Sequence, residues 1–224
     1  MNKSIYGILF FSLLLIPFAS MKAQDKAMLI EQIESKKVTR ESFDKKGKLT
    51  GKQIFTAGKM TPSGGTFFIN IKTELYDEAQ KLEATYTTSY ECRPEEADVL
   101  LSVFAINPKK RKVRVSVKSG DFKKLYALTA NDMVRSMRLT MYVETGILNF
   151  LGSKNNVDVT NRVLIKENNN LKITEKISIK AYLMGIRVRT INYNVTEYLT
   201  LSGSLQKQVF RQTNGDYFTI TYNP

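Results

Sequence analysis

The segment 171–180 reads LKITEKISIK, in which apolar and polar residues alternate. Its apolar members are Leu171, Ile173, Ile177 and Ile179, and Lys172, Thr174, Ser178 and Lys180 lie between them. Because successive side chains of an extended chain point to opposite sides, this spacing places the apolar residues on one face. The segment therefore predicts a β-strand with one buried face.

The same two-residue spacing recurs along most of the chain. It is found at 66–76 (TFFINIKTELY), 82–90, 113–118, 186–195 and 218–222. Turn-forming clusters lie at 44–49, 62–65, 107–108, 119–121, 152–156, 168–170 and 214–215. This pattern predicts a mostly β fold, a curved antiparallel sheet, half-barrel or barrel with one or two short helices, although a sandwich fits the same spacing.

Some segments depart from simple alternation. The apolar residues at 186 and 188 have the opposite parity to those at 191, 193 and 195, which predicts a bulge or corner near Arg189 and Thr190. Segment 24–37 predicts a short helix or a frayed arm, and 129–137 predicts one or two helical turns. Segment 94–106 opens with proline and acids, as a helix does, but its apolar content also suits a buried strand.

The N-terminus has the pattern of a secretory signal peptide. Lys3 precedes an apolar run at 5–18, and the small residue Ala23 follows shortly after. The run is shorter than the roughly 18 apolar residues of a membrane-spanning helix, which makes an uncleaved N-terminal anchor the less favoured alternative. We therefore predict a signal peptide at 1–23, a single β domain at 24–224, and a periplasmic or secreted protein. No cysteine lies near the cleavage site, so we expect no lipid anchor.

The composition excludes several kinds of enzyme. The chain has no histidine and one cysteine, Cys92. Ser-His-Asp and Cys-His catalysis are therefore ruled out. A zinc site is disfavoured because one cysteine and carboxylates form a poor ligand set. We predict no cofactor, no metal site and a buried Cys92 thiol.

The chain is strongly basic, with a net charge of +13. Loss of residues 1–23 removes Lys3 and Lys22 and no acid, leaving +11. This favours anionic partners such as lipid headgroups or acidic polysaccharide, although solubility explains it equally well. Nucleic acid is disfavoured in an exported protein without stacking motifs.

The densest basic run is the candidate anion-binding site. It comprises Lys109, Lys110, Arg111 and Lys112. A hairpin turn after Pro108 would also hold these charges in water, so a solvated turn is the alternative.

A group of carboxylates lies beside Cys92. Glu91, Glu95, Glu96 and Asp98 could supply an acid and a base for hydrolysis. We favour the simpler interpretation, in which they form a solvated turn followed by the acidic first turn of a helix. We therefore predict a protein that is not an enzyme and has no catalytic residues.

Four tyrosines are candidates for lining a concave ligand surface. They are Tyr86, Tyr90, Tyr182 and Tyr193. Packing in a core is the alternative for each.

The order of the segments resembles a known family. The matching pieces are 43–49 (FDKKGKL), 90–92 (YEC), 119–121 (SGD), 139–142, 159–163 (VTNRV) and 197–215. They resemble exported bacterial domains of unknown function that include the pilus-associated protein TapB. The family's Gly-Thr-Phe turn with a second cysteine is replaced here by 177–182 (ISIKAY), so no disulfide is carried over. The resemblance implies a curved β-sheet without catalytic residues.

These patterns predict an exported, non-enzymatic β domain that binds a lipid-like or polymeric ligand or a cell-envelope component. The expected partner is a hydrophobic or anionic ligand or an envelope protein, with no nucleic acid and no membrane span after cleavage. The alternatives are an accessory for surface assembly or adhesion that acts through protein contacts, an outer-membrane barrel, and a carboxylate-based hydrolase.

Overall fold

A computed structural model describes residues 32–93, 112–117, 133–144, 153–167, 170–183 and 185–222. Within these ranges the chain is almost entirely β-strand. The strands are β1 (Lys37–Phe43), β2 (Leu49–Ala57), β3 (Thr61–Ser63), β4 (Thr66–Tyr76), β5 (Leu82–Cys92), β6 (Lys112–Val117), β7 (Met133–Glu144), β8 (Ser153–Glu167), β9 (Asn170–Leu183), β10 (Ile186–Thr200), β11 (Leu205–Gln212) and β12 (Tyr217–Tyr222).

All of these strands belong to one sheet. Its order is β2-β1-β12-β11-β10-β9-β8-β7-β6-β5-β4-β3. Neighbours are antiparallel except β5 and β6, which are parallel over three residue pairs. β2 also pairs with β4, from Lys52 opposite Tyr76 to Ala57 opposite Ile71. This pairing joins strands from the two ends of the order, so the sheet curves back on itself. The predicted mostly β fold with a curved antiparallel sheet is confirmed.

Two local predictions were wrong. The chain from Met133 onwards is strand β7 rather than helix, and the predicted turn at 152–156 is a strand from Ser153 onwards. In both cases cross-strand pairing satisfies the backbone hydrogen bonds, since β7 pairs with β8 from Met133 opposite Val163 to Val143 opposite Ser153. At 32–33 the chain forms a short 3₁₀ turn. Residues 1–31, 94–111 and 129–132 lie outside the described residues. These ranges contain the predicted signal peptide and the 94–106 segment.

The core lies on the inner face of this curved sheet. Alternate residues of β4, β9 and the second half of β10 point into it, as the two-residue spacing predicted. Phe210 and Ile220 are fully buried, and Ile69, Ile71 and Ile177 are each 1% exposed. Burial of each such side chain stabilises the fold by about 1.5–3 kcal/mol relative to exposure.

A bulge in β8 changes which residues face the core. The pairing with β9 slips between Thr160 and Val163, and Asn161 has a left-handed backbone with φ 54°. Before the slip Val157 and Val159 are buried, whereas after it Arg162 and Leu164 are. The inserted residue thus turns an arginine, instead of an asparagine, into the core.

The predicted irregularity in β10 is confirmed. Its pairing with β9 slips between Arg187 and Arg189, adjacent to the predicted position. The residues before the slip are exposed, and those from Tyr193 to Leu199 alternate between buried and accessible.

Candidate functional site

The inner face contains a row of polar side chains across five neighbouring strands. Its members are Arg162, Glu175, Glu197, Gln208 and Tyr222, one from each of β8 to β12. The first four are 0–5% exposed, and Tyr222 is 6% exposed. We call these five residues the buried polar row.

Hydrogen bonds connect the buried polar row from end to end. Arg162 Nη1 donates to Glu175 Oε2, and Arg162 Nη2 donates to Glu197 Oε2 at 2.6 Å. Gln208 Nε2 donates to the other oxygen of Glu197 at 2.5 Å, and Tyr222 Oη donates to Gln208 Oε1 at 2.5 Å. One guanidinium therefore lies between two carboxylates in the core, where an unpaired charge would be strongly destabilising.

The pKa of Glu175 reflects this environment. Burial, together with the neighbouring charge of Glu197, raises the pKa to about 7 against the attraction of Arg162. Glu175 can therefore hold a proton near neutral pH. The side chains of Glu175 and Glu197 are 1% and 0% exposed, so we assign the row to the fold rather than to chemistry on a substrate.

Aromatic residues fill the core beside the buried polar row. Phe210 and Phe218 stack with ring centroids 4.4 Å apart, and Tyr193 meets both rings edge-on at 5.8 and 5.5 Å. The Arg40 guanidinium lies 3.9 Å above the Phe218 ring, and burial lowers the pKa of Arg40. Burial disfavours the charged form of Tyr193 as well, and for a tyrosine this raises the pKa.

The four candidate tyrosines do not form one surface. Tyr90 and Tyr193 are 2% and 7% exposed, and burial raises the pKa of Tyr90. Tyr86 is half-buried and lies opposite Thr73 of β4, on the same inner face. Tyr182 instead has the parity of the outer residues of β9, opposite Lys154, and is half-buried. Three of the four therefore face the core, whereas Tyr182 lies on the outer face.

The outer face of β7, β8 and β9 bears a depression with a volume of about 520 Å³. Polar side chains predominate along it. They are Ser136, Arg138, Asp158, Thr160, Ser178 and Lys180. A second depression, of about 390 Å³, shares Asp158, Thr160 and Ser178 with the first and extends to Lys176, Asn192 and Asn194. We call the two together the outer groove.

An ion triad lies in the outer groove. Arg138 Nε donates to Asp158 Oδ1 at 2.6 Å, and Lys180 Nζ donates to Asp158 Oδ2 at 2.8 Å. Partial burial opposes ionisation of Asp158, but the two hydrogen bonds outweigh it and hold its pKa below the ordinary value. Tyr182 is close enough to Arg138 to interact with its charge. Together with Lys176, the triad gives the described lining of the outer groove three cations and one carboxylate, which lie among hydroxyl and amide groups.

Strand pairing explains how these residues meet. Arg138 lies opposite Asp158 in the β7–β8 register, and Asp158 lies opposite Ser178 in the β8–β9 register. The alternation that buries Val157 and Ile177 turns Asp158 and Ser178 outward. Sequence reasoning missed this groove because its members lie on separate strands.

The structure leaves the candidate anion site undecided. Lys109, Lys110 and Arg111 lie outside the described residues, and Lys112 is the first residue of β6, where its backbone pairs with Ser89 and Glu144.

The carboxylates near Cys92 are described only in part. Glu91 is half-buried on β5, and Glu95, Glu96 and Asp98 lie outside the described ranges. The prediction of a buried Cys92 is confirmed, since its side chain is 2% exposed. Over the part of the chain that the structure describes, no cluster of three potential metal ligands occurs. Nor does this part contain a helix long and apolar enough to cross a membrane.

Two solved structures are similar to this chain at low sequence identity. A candidate exported protein with a YmcC-like fold from Bacteroides fragilis is 14% identical, covering 84% of this chain and 93% of its own, with a TM-score of 0.43. A candidate lipoprotein from Parabacteroides distasonis is 12% identical, covering 88% and 98%, with a TM-score of 0.47. Neither likeness is close enough to assign a function.

No protein-family model and no curated protein matches the chain. The resemblance to the TapB-like family therefore stays a prediction.

Proposed function

We propose that this protein is an exported, non-enzymatic binding domain that holds an acidic polysaccharide of the cell envelope along the outer groove. The observation that carries this proposal is the continuous polar groove across β7 to β10, in which Arg138, Lys176 and Lys180 outnumber one carboxylate.

The groove has the chemistry that a charged carbohydrate needs. Arg138 and Lys180 offer charge-assisted hydrogen bonds to carboxylate groups. Thr160, Ser178 and Asn192 supply neutral donors and acceptors that match sugar hydroxyls. The basic net charge of the chain would draw an anionic polymer towards it.

The dimensions also suit a polymer. Four adjacent strands at about 4.8 Å spacing make the groove roughly 14 Å wide, which is enough for several sugar rings. The described lining is open to solvent, so that a chain longer than the groove can lie across it.

The inner face favours a polymer on the surface over a lipid inside the sheet. Tyr90, Tyr193 and Phe210 are buried in mutual contact or against neighbouring strands. The buried polar row crosses the same interior, and its charged groups are matched to one another.

Titration with a polyuronate, such as polygalacturonate, tests the proposal against neutral dextran. The triple variant R138S/K176S/K180S should bind polygalacturonate at least about tenfold more weakly, because three cationic contacts are lost. The matched control K48S/K72S/K207S removes the same charge from exposed positions outside the groove. It should keep most of the affinity.

Two results would contradict the proposal. Equal losses in the two triple variants would mean that net charge alone attracts the polymer. Equal binding of dextran and polygalacturonate would show that the groove cations do not take part.

A further inference from the structure

The tip of the β9–β10 hairpin is the most exposed apolar feature of the described residues. Every residue at 185–190 is exposed. Ile186 and Val188 are 70% and 59% exposed, the two highest values among the exposed large apolar side chains. Apolar side chains so placed mark contact surfaces when they cluster.

The backbone presents these side chains on a tight projection. Ile186 pairs with Leu183, and Gly185, in the turn directly before Ile186, has a left-handed φ of 80°. The bulge between Arg187 and Arg189 leaves Val188 outside the regular register. A side chain at Gly185 would meet no atom within 4 Å, so the turn points into open space.

The same strand behaves differently further along. From Tyr193 to Leu199 every second residue of β10 is buried, whereas no residue at 186–190 is. The first five residues of β10 therefore lie outside the packed core, beyond the point at which β11 begins to pair with β10.

Charge identifies the partner. Arg187 and Arg189 are exposed and flank Val188 directly. The sequence contains no acidic residue from 176 to 196, so no neighbouring carboxylate on β9 or the first half of β10 neutralises the two arginines. Exposed aliphatic residues interleaved with cations are complementary to a surface that is apolar beneath and anionic on top, which is the interface of an anionic bilayer.

We propose that the β9–β10 hairpin tip docks on an anionic lipid surface. Ile186 and Val188 enter the boundary between headgroups and acyl chains. Arg187 and Arg189 pair with headgroup phosphates, and their aliphatic stems lie along the apolar boundary. This contact is separate from the outer groove, and neither depends on the other.

Vesicle co-sedimentation of the purified protein tests the docking. The probes are vesicles of phosphatidylcholine alone and of an equal mixture with phosphatidylglycerol. The wild-type protein should bind the mixed vesicles and not the neutral ones. The variant I186T/V188T keeps every charge and should bind at least about tenfold more weakly, because the buried apolar area is lost.

Two further variants separate apolar insertion from general attraction. L82T/L201T removes two other exposed leucines, 51% and 54% exposed, and should bind like wild type. R187Q/R189Q should lose about fivefold per arginine, and its remaining binding should depend less on salt. Thermal unfolding of each variant confirms that it is folded.

Three results would overturn the proposal. The first is equal vesicle binding by I186T/V188T and wild type, and the second is no binding to mixed vesicles. The third is loss of binding in L82T/L201T to the same extent. Retained vesicle binding by R138S/K176S/K180S would support the proposal, because it would show that docking does not need the cations of the outer groove. A failure of the polysaccharide-binding proposal would therefore leave the docking proposal standing.

Discussion

Arg162 and Arg138 each meet a carboxylate on a neighbouring strand, but they lie on opposite faces of the same sheet. Arg162 is fully buried between Glu175 and Glu197. The Arg138 side chain is 54% exposed and shares Asp158 with Lys180. The buried triad has two carboxylates and one cation, whereas the solvent-exposed triad has two cations and one carboxylate.

The difference shows how burial decides the role of a charge. Inside the sheet the two carboxylates hold the guanidinium in place, and removal of one partner leaves a charge that water cannot reach. On the outer face water screens the triad, so its contribution to stability is small and its groups are accessible to a ligand. Similar residues therefore serve the fold on one face and binding on the other.

The largest expected effect follows from removing the inner arginine. The substitution Arg162→Met leaves Glu175 and Glu197 buried without their shared cation, so the free energy of unfolding should fall by about 3–5 kcal/mol. Urea unfolding followed by circular dichroism measures the loss.

The outer arginine provides the matched control. Arg138→Met removes the same side chain from an exposed triad and should change stability by less than about 1 kcal/mol. Similar losses in the two variants would show that burial does not distinguish the two triads.

The second prediction concerns pH. Native Glu175 has a pKa of about 7, raised from its ordinary value of 4.5, so between these values the native state binds more protons than the unfolded chain. The free energy of unfolding contributed by Glu175 therefore falls as pH rises from about 4.5 to 7, by about 3 kcal/mol, and levels off above that range.

Urea unfolding at a series of pH values measures this dependence. Glu175→Gln should remove it, since the amide cannot titrate. Glu167→Gln on the neighbouring strand, where the carboxylate is exposed, should leave it unchanged. A pH profile of Glu175→Gln that matches wild type would contradict the prediction.

The smallest effect on stability is expected for the centre of the outer triad. Asp158→Asn removes the only carboxylate among the described residues that line the outer groove, so stability should change by less than about 1 kcal/mol. If the groove binds an acidic polymer, the freed Arg138 and Lys180 should bind polygalacturonate more tightly, by a few fold. Weaker binding would mean that Asp158 contacts the polymer or positions the cations.

The strands could be predicted because their alternation is local. The segment 66–76 is strand β4 with the predicted bounds, and 218–222 contains the buried Phe218, Ile220 and Tyr222. The irregularity near Arg189 was also visible as a change of parity. The helical prediction over 129–137 was wrong from Met133 onwards because pairing with β8 outweighs the local preference.

The buried polar row left a signal that sequence reasoning did not use. Glu175 has the parity of Ile173 and Ile177, and Glu197 has that of Val195 and Leu199, so each carboxylate lies at a position expected to face the core. A charge there calls for a buried partner. The partner itself was hidden, because Arg162 reaches the core only through the bulge at Asn161.

The amino-acid sequence alone determined that this chain is a mostly β protein of strongly basic charge, with no histidine chemistry. Spacing and composition are sufficient for that, since they depend on residue type and nearest neighbours. The tertiary structure decided which face each charge occupies and which strands lie side by side. Pairing between distant segments places Arg138, Asp158 and Lys180 in one groove and Arg162, Glu175 and Glu197 in the core, and register across a curved sheet is a property of the whole chain.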